Sequence, residues 1–237
     1  MSHPERIVPD ETEPGIVALH LKRYEFARPR CVDRDVLDAG CGVGYGTAYL
    51  AESARRVVGV DRDEDAIAYA RDRYAAENVE FAVADLLALD RPDGEFDVVC
   101  AFEVIEHLSE PDRFLAEARR VLRADGELVL STPQAEATDD RPANPFHERE
   151  FSAGDLEGLL RRQFGTVQLF GQRRLQTTRH RALQQLDVLG LRKRLPFLRP
   201  LGRAVTGTPA TAELTSVDVE IGADLEGASE LIAICRA

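Results

Sequence analysis

The stretch VLDAGCGVGYGTAYLA, Val36 to Ala51, puts a glycine at every second position from Gly40 to Gly46, between an apolar run and a helical pattern. Glycines placed there remove side chains where a strand turns into a helix, which permits a tight turn and lets the backbone come up against a ligand. A dinucleotide loop requires G-x-G-x-x-G or a final alanine, but counting from Gly40 the last position is Tyr45, and from Gly42 it is Thr47. A phosphate loop requires Lys followed by Ser or Thr, and this stretch has no Lys. Asp38, just before the loop, repels a pyrophosphate and suits an ammonium or sulfonium group. The stretch therefore favours a one-piece adenosyl compound over a dinucleotide.

Outward from the loop, strands alternate with helices. DVLDAG is followed by the helix TAYLAESA, the strand RVVGVD, the helix DEDAIAYARDRYA and the strands NVEFAVAD and FDVVCAF. PDRFLAEARRVL is then a helix opened by Pro111, ELVLSTP a fifth strand, FSAGDLEGLLRRQF a helix capped by Ser152, and TVQLFGQ and ELIAICR the last two strands. Ile16 to Ala27 reads as a separate helix bounded by Pro14 and Pro29. This predicts an α/β protein: a Rossmann-like, seven-stranded, mostly parallel sheet with helices on both faces, an N-terminal helical cap and a helical insertion before the last strand.

Ligands of such sheets lie at the carboxyl ends of the strands, which gathers Asp38, Gly40, Asp61, Asp85, Phe102 and Glu103 on one edge. Asp61 ends the second strand and is placed to accept hydrogen bonds from two ribose hydroxyls. Asp85 can accept one from an adenine amine, with the Leu86 N–H facing a ring nitrogen. Each aspartate taken singly could equally be a helix cap. Three in register, after a failed phosphate fingerprint, favour the ligand.

Taken together, VLDAGCGVGYG, VVGVD, VADLL and FDVVCAFEVIEHL resemble the ordered motifs of class I S-adenosylmethionine-dependent methyltransferases, the last of them similar to the ubiquinone-biosynthesis O-methyltransferase branch. The resemblance runs from about Val36 to Pro133. It implies S-adenosyl-L-methionine as cofactor, with Asp38, Gly40 and Gly42 serving the methionine part, Asp61 the ribose, and Asp85 with Leu86 the adenine. The flanks ERIVPDE, LHLKRYEFA and NPFHEREFS look like methyltransferases of glycan-assembly clusters, which implies a saccharide or glycolipid hydroxyl as acceptor. The expected organisation is one domain over 1–237, with a cap at 1–30, a cofactor-binding core at 31–171, a basic helical insertion at 172–229 and a terminal strand at 230–237. N-methylation of an amino sugar or other small amine, and a non-catalytic adenosyl-binding module, are the alternatives.

An alcohol acceptor has to lose a proton. His147 in NPFHEREF, His107 in FEVIEHL and Glu103 are the candidate catalytic groups, each weighed against a purely structural role. Arg23, with His20 and Tyr24 on the N-terminal helix, can meet the cofactor carboxylate, unless that helix simply buries Ile16, Leu19 and Phe26. No metal is expected, because Glu136, Asp139 and Asp140 after the fifth strand read as solvated surface.

The formal net charge of −12 over 237 residues excludes an extended nucleic-acid surface, and FDVVC is not followed by N-P-P-Y or D-P-P-Y. Gln172 to Arg203 nevertheless carries nine Lys or Arg against the single acid Asp187. Apolar and basic residues together there suit an anionic or lipid-linked sugar, or a homodimer contact. No apolar run approaches the roughly 20 residues of a membrane span, the N-terminus is polar, and Cys31, Cys41, Cys100 and Cys235 form no CxxC pair. A cytoplasmic location is expected.

Overall fold

The structure, a computed structural model, describes residues 6–175 and 214–236. Its β-branched apolar runs form the strands β1 (Asp35–Ala39), β2 (Arg56–Asp61), β3 (Val79–Val83), β4 (Phe96–Phe102), β5 (Leu122–Pro133), β6 (Thr166–Arg174), β7 (Val219–Gly222) and β8 (Glu230–Arg236). They make one sheet in the order β3-β2-β1-β4-β5-β8-β6-β7. Pairings among β1 to β5 are parallel, whereas β8 runs antiparallel between β5 and β6, and β7 antiparallel to β6.

Successive strand residues enter opposite layers, as the two-residue period of a strand dictates. Val36, Val57 and Val98 pack on α1 (Pro14–Cys31) and α2 (Tyr45–Ala51). Leu37, Val58 and Val99 pack with Phe114, Leu115 and Leu156 from α4 (Pro111–Val121) and α5 (Ala153–Leu160). Between β2 and β3, α3 (Glu64–Arg73) buries Ile67 and Ala70 against Phe81. Covered on both faces, the central strands can be apolar throughout.

Two expectations are corrected, and one falls outside the described residues. The sheet has eight strands, because VEIG at 219–222, inside the stretch expected to be helical, pairs with Gly171–Arg174. Four residues are too few for an alternation to register, so this strand is set by its neighbour. Within the expected insertion, 172–174 extend β6 and 216–218 form a 3-10 turn, whereas 176–213, including Arg192, Lys193 and Arg194, lie outside the described residues. Finally, α1 spans Pro14–Cys31, running through Pro29 instead of ending at Ala27, and it buries Tyr24, Ala27 and Cys31. Its contact with α2 is close: a Cβ on Gly46 would lie 1.9 Å from Cζ of Tyr24. Among the described residues no helix is long and apolar enough to cross a membrane.

The parallel strands bring Asp38, Asp61 and Phe102 to one edge. Because β8 runs the other way, its first residue Glu230, paired with Pro133, joins that edge.

Candidate active site

A cavity of about 1110 Å³ opens over this edge, and Gly40, Gly42, Asp61, Asp85, Leu86 and Phe102 all line it. The glycine loop is tied to β2 by its own backbone: the N–H groups of Gly40 and Cys41 donate to the Val60 carbonyl at 2.8 and 2.9 Å. Gly42 has φ +53°, a conformation that favours glycine, and its N–H donates to Asp61 Oδ2 at 2.9 Å. A Cβ on Gly42 would meet nothing within 4 Å, so bare backbone faces open space there. Asp61 also accepts from the Asp63 N–H through Oδ1 at 3.0 Å, so one carboxylate braces the loop and stands on the cavity wall. Asp85 closes a turn by accepting from the Leu87 N–H at 2.9 Å.

Asp38 and Arg23 do not line the cavity. Asp38 is buried behind it, accepting from Thr47 Oγ1 at 2.6 Å and from the Tyr24 hydroxyl at 3.3 Å. Burial pushes its carboxyl up to about 7, with the Thr47 and Tyr24 hydrogen bonds opposing and the charge of Asp61 adding. Tyr24, which packs edge-on against Phe102 at 4.9 Å, stands on the wall in its place. Arg23 is buried among acids, Nη1 lying 3.3 Å from Glu103 Oε1 and Nη2 3.0 Å from Glu230 Oε2. Both pairs are close enough for Coulomb attraction, but neither is aligned as a hydrogen bond; Nη1 instead lies 3.3 Å from His20 Nδ1.

Glu103 follows β4 with φ +55°, a left-handed conformation uncommon outside glycine, and it lines the cavity. Ser131 Oγ donates to its Oε1 at 2.8 Å, and its own N–H is held by Ser131 at 3.1 Å. Burial drives its carboxyl up to about 7, against the pull of Arg23 and with the push of Glu230. His20, also on the wall, is kept neutral by burial and by the neighbouring Arg23.

His107 and His147 meet at the far side of the cavity, their ring centroids 4.9 Å apart. The loop carrying His147 docks on the 3-10 turn Ile105–His107, since the Glu148 and Arg149 N–H groups donate to the Glu106 carbonyl at 2.8 and 3.2 Å. His107 Nδ1 lies 2.8 Å from the Phe146 carbonyl, and His147 Nδ1 lies 2.9 Å from Glu150 Oε1. Asp139 and Asp140, weighed as metal ligands, serve local turns and an ion pair with Arg149 instead.

Residues 37–130 match the methyltransferase domain family. Over that segment the chain is similar to methyltransferase domains, and its fold is of the class I type. A probable S-adenosylmethionine-dependent methyltransferase of Mycobacterium tuberculosis is 46% identical over 160 residues, covering 66% of this chain and 58% of that protein. A fatty-acid O-methyltransferase of Mycolicibacterium smegmatis is 35% identical over 131 residues, 54% of this chain and 45% of that one. This chain thus spans about half the length of these curated relatives. Among solved structures, a methyltransferase from Thermotoga maritima superposes with a TM-score of 0.65 over 95% of this chain and 94% of its own, at 16% identity.

Two charged groups around the site are not legible in the sequence. Glu230 is recognisable only once β8 is known to be antiparallel, which turns a strand's first residue into an edge residue. Arg6, which lines the cavity and pairs with Asp63 at 2.6 Å, precedes every regular element and leaves no periodic signal.

Two buried carboxyls at about 7 give the domain a pH signature. Asp38 and Glu103 ionise near 4 in an unfolded chain and near 7 in the folded one. Between those values the folded state holds protons that the unfolded state has lost. Their contribution to stability therefore falls as pH rises from about 4 to about 7, by on the order of a few kcal/mol, and then levels off. Urea midpoints should be higher at pH 5.5 than at pH 8, and Asp38→Asn should flatten the difference; an identical slope in that variant would remove Asp38 as its source.

Proposed function

We propose that the chain transfers a methyl group from S-adenosyl-L-methionine to a hydroxyl of a small molecule, a saccharide or glycolipid intermediate. The observation that carries the reading is the pairing of Gly42 and Asp61: bare backbone opening into the cavity beside a carboxylate already fixed on the wall. The residues fit the cofactor: Asp61 would take the ribose hydroxyls, Asp85 and Leu86 the adenine, and the loop backbone with Tyr24 the methionine part. Asp38 acts through Tyr24 and Thr47, and Arg23 through Glu103. When bound, the cofactor supplies a methyl carbon on a sulfonium sulfur that departs as a neutral thioether.

Glu103 is the general base in this reading. It lines the cavity, its carboxyl is driven to about 7 by burial, and Arg23 and Ser131 fix one of its oxygens. Glu103 would accept the proton that the acceptor hydroxyl gives up on methylation. His107 and His147 bound the acceptor end. The fatty-acid O-methyltransferase relative supports oxygen as the acceptor atom, and the basic stretch from Gln172 to Arg203 supports an anionic or lipid-linked one. We place the chain in the cytoplasm, a reading supported by its polar N-terminal sequence.

Calorimetric titration should give saturable binding of S-adenosylhomocysteine and none of NAD. Acceptors then separate the possibilities by mass: a gain of one methyl on a saccharide hydroxyl supports the reading, and a gain only on amines overturns the oxygen assignment. Cofactor binding with no methyl gain on any of these classes would leave a binding module.

A further inference from the structure

Glu106, His107 and His147 each offer a ligand atom, and these atoms lie within 4.8 Å of one another on the cavity wall. A tetrahedral site with bonds of about 2.1 Å needs ligand atoms roughly 3.4 Å apart, a closure within reach of side-chain rotation. The Phe146 carbonyl can only accept, so His107 Nδ1 carries its proton and Nε2 its lone pair. Glu150 fixes His147 in the same form, with Asn144 Nδ2 donating to the lone pair on Nε2 at 2.9 Å. Imidazoles anchored through Nδ1 by a carbonyl and a carboxylate have the outer-shell arrangement of metal-binding histidines.

An independent observation concerns Glu106. Its Oε2 accepts from Thr132 Oγ1 at 3.0 Å, but Oε1 is buried without a hydrogen-bond partner. Buried carboxylate oxygens are costly to leave unsatisfied, and a cation beside the two imidazoles satisfies this one.

The geometry points to a site for a divalent transition metal of the zinc class, held by Glu106, His107 and His147 and open to the cavity. Two nitrogen ligands and one carboxylate suit zinc, cobalt or manganese better than magnesium, which prefers oxygen alone. Binding displaces the Asn144 amide from His147. The open positions face the acceptor end, where the metal would orient an acceptor oxygen; that use rests on the methyl-transfer reading, whereas binding of the metal does not.

Cobalt(II) chloride titrated into the chelator-treated full chain should produce saturable visible d–d absorption, displaced by zinc and not by magnesium. His107→Ala and His147→Ala should each abolish that absorption, and Glu150→Gln should weaken affinity by about 10- to 100-fold while thermal melts stay close to the parent. Absence of the bands at millimolar cobalt, or parental affinity in both histidine variants, overturns the site. S-adenosylhomocysteine titrated into the same samples reports separately on the cofactor reading, so loss of one result does not imply loss of the other.

Discussion

Replacing Arg23 by alanine is expected to lower folding stability by about 3–5 kcal/mol at pH 8, the cost of leaving a buried charge without its partner. The guanidinium is 2% exposed and lies between Glu103 and Glu230, with Nε making no hydrogen bond, so its role is to hold acids from β4 and β8 beside each other. Without it the Glu103 carboxyl rises still further above its folded value of about 7. The variant then keeps Glu103 protonated over a wider range, and the cost should shrink at pH 5, where the parent also carries the proton. Adding Glu103→Gln to Arg23→Ala should recover part of the loss. Urea unfolding with an unchanged m-value provides the measurement. A loss under about 1 kcal/mol, or the same loss at pH 5 and pH 8, would remove Arg23 as the organising charge.

Features of the site carried by one strand and the turn after it were legible in the sequence. Gly40, Gly42 and Asp61 each lie at the carboxyl end of a parallel strand, so a two-residue period and a failed phosphate fingerprint were enough to place them. What depends on long-range packing was not legible. Asp38 sits in the expected register, yet Thr47 and Tyr24 enclose it, and no local pattern reports that α1 closes over α2 through Gly46. The helix that carries Arg23 is legible but the acids around Arg23 are not: Glu230 lies more than two hundred positions away. The pairing of His107 with His147 arises because a loop 39 residues downstream returns Phe146 to the 3-10 turn. The strand β7 was hidden for a related reason, since its four residues are ordered by β6 rather than by their own alternation.

Replacing Asp61 by alanine is expected to weaken S-adenosylhomocysteine binding by about 100-fold or more, equivalent to about 2.7 kcal/mol. Two hydrogen bonds from ribose hydroxyls to a carboxylate, at about 1.5–3 kcal/mol each, account for an effect of that size. Folding should change far less, by about 1 kcal/mol, because the Gly42 and Asp63 N–H groups left without Asp61 lie at a part-buried rim where water can replace it. Asp61 nevertheless braces the loop, so weaker binding alone does not distinguish a ribose contact from a collapsed cradle. An analogue of S-adenosylhomocysteine lacking both ribose hydroxyls separates the two. If Asp61 touches the ribose, the analogue binds the parent weakly and Asp61→Ala costs it little more, the two losses failing to add. If Asp61 only shapes the loop, the substitution costs both ligands equally. Asp61→Asn retains one acceptor oxygen but not the charge, and should fall between alanine and parent for S-adenosylhomocysteine alone. Equal losses for both ligands, measured by calorimetry at one pH and salt concentration, would return Asp61 to a structural role and leave the ribose without an assigned partner on this edge.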